Sequence, residues 1–300
     1  MKQFRRGIRN PAMLDALAQL SEREGWWRDV IRDPSLVIGI RDEYLNVYWQ
    51  GQSLFRVAMK GSRITATTHP KYLLNPDLSG QVAIDVETNA FAAPRIDAIA
   101  TAYEPGVTLG RLKRAAALYS GEEKRGVHDI AVANSNVVDV EIAFSGGDVT
   151  GGVVPRIDIA ALEQTDGGAR LVFWEAKTFY NPELRSSGEK NVVRQIELYR
   201  SILAAFRADV IESYRIIAGN LAALASLSGG ARHLDPAVRR IAEGGELVIG
   251  DPAEVNLIVY GFDAAQRDKV WRPFEIELKA RLAHGRILAR GETRGLTLSS

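Results

Sequence analysis

The sequence contains no cysteine in 300 residues. That absence excludes disulfide scaffolds, thiolate zinc sites, iron–sulfur clusters and cysteine nucleophiles. No apolar h-region follows Met1, so a secretory signal peptide is not expected and a cytoplasmic location is the default. Long hydrophobic runs are missing as well. The best of them, such as residues 202–206, meet charge within a few positions, well short of the roughly 20 residues a membrane-spanning helix needs. No membrane partner is expected. Nor is there an excess of either charge: 38 Lys and Arg stand against 37 Asp and Glu, a net charge of +1, which excludes a strongly basic polyanion trap. Internal repeats and low-complexity tracts are absent. The glycine pairs at 146–147 and 151–152 lack the Gly-Lys-Ser/Thr that closes a phosphate-binding loop and read as a hairpin turn.

What is present is a chain that is 46% hydrophobic, enough for one large or two modest globular domains. Pro11 can start a helix whose apolar residues Leu14, Leu17, Ala18 and Leu20 recur until Gly25. Residues 36–67 then change period to short β-branched and aromatic runs, punctuated at Asp42-Glu43, Gly51-Gln52 and Gly61-Ser62. That pattern predicts an antiparallel meander, with a further strand over 81–87 after the loop at 75–80. A boundary near residue 105 would separate a β-rich N-terminal domain, 1–105, from a second domain, 106–300. The second half predicts a helix over about 109–130 and strands over 137–144, 153–162 and 169–179. A long helical region from about 188 to 227, broken once near Asp209, follows, and then a loop over 229–252. A doubly buried strand over 255–262 and a helix over 263–282 complete it.

Three of these strands carry charge where a buried strand should be apolar. In Leu171-Val172-Phe173-Trp174-Glu175-Ala176-Lys177 the alternation of a strand sends Glu175 and Lys177 to one face, roughly 6–7 Å apart. One strand earlier, Ile157 and Ile159 face one way and Asp158 the other. If the two strands form a hairpin, Asp158 and Glu175 come within reach of one ion. Two carboxylates make a hard oxygen site that suits Mg²⁺ or Mn²⁺. Such an ion lowers the pKa of a bound water, and Lys177 can orient that water or offset charge in the transition state, which is the chemistry of phosphodiester hydrolysis. On the following helix, Val192, Gln195, Ile196, Tyr199, Ile202, Leu203 and Phe206 form one stripe, which sets Gln195 and Tyr199 toward the sheet.

An Asp on one strand, Glu-x-Lys on the next and Gln-x-x-x-Tyr on the helix after it resemble the PD-(D/E)xK superfamily of restriction-endonuclease-like nucleases. The resemblance is nearest to the RecB-like and lambda-exonuclease-like branch. The literal Pro-Asp pair is replaced by Pro155-Arg156-Ile157-Asp158. The resemblance implies an α/β, restriction-endonuclease-like core, a mixed central sheet flanked by helices, preceded by the small β-rich N-terminal domain. It implies a divalent-metal-dependent nuclease with Asp158 and Glu175 as metal ligands, Lys177 as catalytic lysine, and Gln195 and Tyr199 positioning the active site and DNA. Glu123 matches the place of a further metal-binding acid, with Glu141 and His128 as alternatives that the sequence does not separate. DNA is the expected partner, RNA is left open as a substrate, and a homodimer is a partner state the family often adopts.

Blander readings stand beside these. Gln195 and Tyr199 can be core residues, His128 a structural histidine, and Glu123 part of a solvated helix face beside Glu122. Lys177 can simply neutralise Glu175, or the fold can persist as an inactive binding or assembly module in a DNA defence or repair complex. Tyr44, Tyr48, Trp49 and Phe55, interleaved with Arg41 and Arg56, suit either base stacking or cross-strand packing. Basic residues cluster locally despite the balanced total, at Arg111, Lys113 and Arg114 and over residues 264–294, where eight bases face four acids.

Overall fold

The computed structural model describes residues 4–73, 81–92, 102–144, 156–188, 191–282 and 284–298; the expected turns at 75–80 and 145–152 and the start of the strand at 153–155 lie outside them. The chain is mixed α/β with two sheets and divides into two compact units. One, the α/β unit, combines Met1–Arg5, Asp129–Arg215 and Pro236–Ser300; the other, the meander unit, combines Arg6–His128 and Ile216–Asp235. Residue 105, where the sequence suggested a boundary, lies inside the meander unit. Among the described residues no helix is long and apolar enough to cross a membrane.

The meander unit opens with helix α1 (Pro11–Glu22), begun by Pro11 and capped by Asn10, whose side chain accepts the Ala12 N–H at 3.1 Å. Helix α2 (Trp26–Arg32), a second helix beyond the Gly25 stop that the sequence reading did not assign, follows Gly25 at φ 155 and buries Trp26, Trp27, Val30 and Ile31. Strands β1 (Val37–Ile40), β2 (Tyr44–Trp49), β3 (Gln52–Lys60), β4 (Arg63–Thr68) and β5 (Val82–Ile84) pair antiparallel in sequence order. The β2–β3 turn places both Gln50 (φ 47) and Gly51 (φ 72) in the left-handed region, as a two-residue hairpin requires.

The helix expected over 109–130 is two, α3 (Thr108–Ala117) and α4 (Glu122–Ala133). The break is built by Leu118, Tyr119 and Ser120, whose N–H groups reach back three residues, and by Ser120 Oγ, which donates to the Gln50 carbonyl at 2.8 Å.

The α/β unit is built on β6 (Val137–Ala143), β7 (Arg156–Gln164) and β8 (Gly168–Thr178), followed by α5 (Val192–Ala205), α6 (Arg207–Leu227) as far as Arg215, α7 (Pro236–Ala242), β9 (Glu246–Ile249) and β10 (Val255–Tyr260). Helical segments Ala264–Gln266 and Arg267–Trp271 lead into α8 (Arg272–Arg281), and β11 (Ile287–Arg290) closes the sheet. The strand order is β11-β10-β8-β7-β6, with β9 beside the start of β8. β6, β7 and β8 run antiparallel, while β9 and β10 run parallel to β8 and β11 parallel to β10. All six residues of β10 are buried, the pattern of a strand paired on both sides and covered on both faces.

Helix α5 starts at Asn191, whose side chain accepts the Arg194 N–H at 2.9 Å. It ends at Phe206 (φ −109, ψ 18) rather than at Asp209, which instead stands in the first turn of α6, where a carboxylate meets the positive end of the helix dipole. The loop expected over 229–252 contains α7 and β9.

Candidate active site

The β7–β8 hairpin sets the geometry. Ile159 pairs with Trp174 and Gln164 with Ala169, so the next step of the same register brings Asp158 level with Glu175. There the ladder changes character: the Ala176 N–H donates to Asp158 Oδ2 at 2.9 Å. A carboxylate thus takes a donor that the sheet would otherwise use, and the Asp158 side chain is fixed against the strand carrying Glu175 and Lys177.

Lys177 Nζ lies 2.8 Å from Glu175 Oε1 and 2.7 Å from Glu183 Oε2. The Lys177 and Glu175 side chains are 6% and 2% exposed, against 34% for Glu183. Lys177 is therefore a desolvated cation held between a buried and a half-exposed carboxylate. Glu183 was not singled out in the sequence. It sits in the single turn Pro182–Leu184, capped by Asn181, which accepts the Glu183 N–H at 2.9 Å. The signal for it was an acid placed a few residues after a buried lysine, in an Asn-Pro-Glu turn.

Asp158 keeps partial solvent access, yet the atoms packed around it desolvate its carboxylate strongly. That burial, and next the negative charge of Glu175, raise its pKa well above the ordinary carboxylate value; the Ala176 N–H and Lys177 oppose the rise, and Glu141 adds to it. One lysine does not offset the carboxylates gathered here. Glu141 lies in β6 at the position between the pairs Val140–Ile159 and Ile142–Ile157, level with Asp158. Its φ of 54 is unusual for a non-glycine residue inside a strand, and its carboxylate is bridged by Arg156 at 3.0 Å. Glu141, Asp158 and Glu175 thus form a row across three adjacent strands.

Helix α5 supplies the remaining pair. Tyr199 is fully buried; its hydroxyl donates to the Arg156 carbonyl at 2.6 Å and accepts from Gln195 Nε2 at 2.7 Å. Burial first, then the Glu175 and Asp158 carboxylates, push the Tyr199 phenol far above its ordinary pKa, so it stays a hydrogen-bond donor. Gln195 Oε1 is buried and accepts no hydrogen bond among the described residues. The structure brings together Asp158, Glu175, Lys177, Gln195 and Tyr199, with Glu141 from among the alternatives for a further acid, and adds Glu183.

Glu123 stands in the first turn of α4, within the meander unit, where it is half-buried. His128 belongs to the same unit and packs edge-on against Trp49, ring centroids 5.1 Å apart. Among the described residues no group of three or more His, Asp or Glu side chains is drawn close enough to ligate one ion. The two carboxylates Asp158 and Glu175 nevertheless suit a divalent cation. They are hard oxygen donors from adjacent strands, and burial first and the neighbouring Glu175 charge second disfavour the ionised Asp158 carboxylate, a form that a bound cation would stabilise.

The basic stretches noted in the sequence are largely paired. Arg111 bridges Glu104, Lys113 bridges Asp33 at 2.8 Å, Arg267 and Arg272 share Asp268, and Lys279 and Arg281 meet Glu275 and Glu277 along α8. Arg286 joins Glu163 and Glu254. Local excess of base in the sequence is therefore a poor guide to surface field here.

No family model, curated protein or solved structure matches the chain.

Proposed function

We propose that the chain is a divalent-metal-dependent nuclease with a restriction-endonuclease-like core, hydrolysing phosphodiester bonds of nucleic acid, with DNA as its substrate. The observation that carries the reading is the convergence of Asp158, Glu175 and Lys177 from two neighbouring strands, with the Asp158 carboxylate anchored on the Ala176 N–H. The order of helix, three antiparallel strands, helix and a parallel strand beside β8 agrees with it.

Asp158 and Glu175 would hold Mg²⁺ or Mn²⁺, which when bound supplies an acidified water and charge stabilisation at the phosphate. Lys177, steadied by Glu183, orients the attacking water and offsets negative charge as oxygen adds to phosphorus and one ester P–O bond breaks. Tyr199 and Gln195 act as positioning residues: through the Arg156 carbonyl they fix the start of β7, two residues before Asp158. Of the acids and histidine weighed for a third ligand, Glu141 lies in the same unit as Asp158 and level with it, and is the candidate. Incubation of supercoiled and linear DNA with Mg²⁺ or Mn²⁺ tests the reading. Wild-type protein is expected to cut, and Asp158→Ala and Lys177→Ala to abolish cutting while remaining folded; equal cutting by both variants would sink it.

A second reading is favoured by one observation. Lys177 already lies against two carboxylates, the arrangement of a structural ion triad in an inactive binding or assembly module. Titration with Mn²⁺ separates the two: the nuclease binds the ion in a manner that Asp158→Ala abolishes, and the inactive module does not.

A further inference from the structure

The meander unit, considered by itself, holds a cluster of bases with a different character. Residues Pro70–Leu73 form a single turn of 3₁₀ helix that presents Lys71 and Tyr72 toward the start of β3 and the end of α3. Lys71 Nζ lies 4.9 Å from the centroid of the Tyr72 ring and 4.7 Å from that of Tyr119, and donates to Gln52 Oε1 at 3.1 Å. Gln52 ties the group together: its Nε2 donates to the Tyr119 carbonyl at 3.0 Å and its Oε1 accepts from the Tyr72 hydroxyl at 3.2 Å. Lys124, in the first turn of α4, packs against Gly51 so closely that a Cβ added there would lie 2.6 Å from its side chain.

Among the described residues neither Lys71 nor Lys124 pairs with a carboxylate, in contrast to Arg111, Lys113, Lys279 and Arg281. Burial, and next the charge of Lys124, hold the Lys71 ammonium below its ordinary pKa, and burial, then the charge of Lys71, lower His69. Positive charge has been concentrated without an internal counter-charge, beside two apolar side chains that face water, Tyr119 at 49% and Leu118 at 77% exposure. Cation–π contact with two rings fixes the ammonium but does not neutralise it.

We propose that this cluster is a subsite for a nucleic-acid phosphate, held by Lys71 and Lys124, with the exposed Tyr119 ring as the surface on which an adjoining unpaired base stacks. An unpaired base is required because a ring can stack only on a base face that is not already covered. The choice of a nucleic-acid strand over a free anion rests on the nuclease reading of the α/β unit.

The test is binding of a fluorescein-labelled single-stranded oligothymidylate to the full-length protein in EDTA, read by anisotropy between about 50 and 300 mM salt. Lys71→Met and Lys124→Met are each expected to lower the slope of log K against log salt by about 0.7, the single-strand value for one phosphate contact. Tyr119→Ala is expected to weaken binding about 5- to 150-fold, the range for one base–aromatic stack, while Lys71→Arg and Tyr119→Phe stay near wild type. An unchanged slope in both lysine variants overturns the proposal, as does wild-type protein that binds no oligonucleotide. Wild-type protein that takes up inorganic phosphate alone also overturns it. Cutting in Mg²⁺ is measured separately. Lysine-dependent binding without any cutting refutes the nuclease reading and leaves the subsite standing, whereas cutting with lysine-independent binding refutes the subsite alone.

Discussion

Replacing Lys177 by Met keeps the length of the side chain and removes the ammonium that lies 2.8 Å from Glu175 and 2.7 Å from Glu183. Glu183, a third exposed, can turn to solvent, so its share is that of a surface pair, about 0–1 kcal/mol. Glu175, 2% exposed, cannot. Breaking a buried ion pair by removing one partner costs about 3–5 kcal/mol, most of it the desolvation of the carboxylate left behind. In a unit of roughly 150–250 residues each kcal/mol moves Tm by about 2–4 °C, so the variant should melt at least about 6–12 °C lower. Calorimetry on the metal-free protein reads this directly. The companion Glu175→Leu/Lys177→Met should recover most of the loss, since an apolar pair of similar volume no longer has a charge to desolvate. A single variant within about 1 kcal/mol of wild type, or a double variant whose losses simply add, would refute the picture of a desolvated pair.

Asp158→Asn should be stabilising at neutral pH. The folded pKa of Asp158 is raised, so between the ordinary carboxylate pKa and that raised value the folded protein binds more protons than the unfolded chain, and stability falls as pH rises through the window. The asparagine variant, which keeps an oxygen for the Ala176 N–H, should lack this fall; melting curves from acid to neutral pH in EDTA that run parallel for the two proteins would contradict it. Tyr199→Phe removes the donor to the Arg156 carbonyl and the acceptor for Gln195, and should cost about 1–3 kcal/mol in urea unfolding with an unchanged m-value. Gly168→Ala would set a Cβ 1.9 Å from the Glu246 carbonyl oxygen, so β9 must move off β8; faster hydrogen exchange over Glu246–Ile249 and a loss of about 1–3 kcal/mol are expected.

The parts of the fold legible in the sequence are those with a long repeating pattern. The meander's alternating runs, the apolar β10 and the stripe of α5 each extend over enough residues for their period to be counted. Asp158, Glu175 and Lys177 were legible for the opposite reason, as charges breaking an apolar pattern. Short elements were not. β9 has four residues and gains its hydrogen bonds from β8, a partner far away in sequence, and α7 has seven residues. The break between α3 and α4 depends on Ser120 bonding to Gln50, a tertiary contact that no local period encodes. Glu183 was hidden likewise, because it acts through Lys177 across a turn; Glu141 was named in the sequence as an alternative acid, but its left-handed backbone and its place beside Asp158 follow from the register of β6 on β7. The clustered bases of 264–294 misled in the other direction, because their counter-charges come from α8 itself and from the distant Glu163 and Glu254.

The rate at which wild-type and Asp158→Asn proteins open closed-circular DNA in Mg²⁺ is the decisive quantity. A metal ligand held at the expense of stability should, when replaced, give a protein that melts higher at neutral pH and no longer cuts. If Asp158→Asn cuts as fast as wild type, or if wild-type protein with Mg²⁺ or Mn²⁺ leaves both circular and linear DNA intact, the nuclease assignment is wrong.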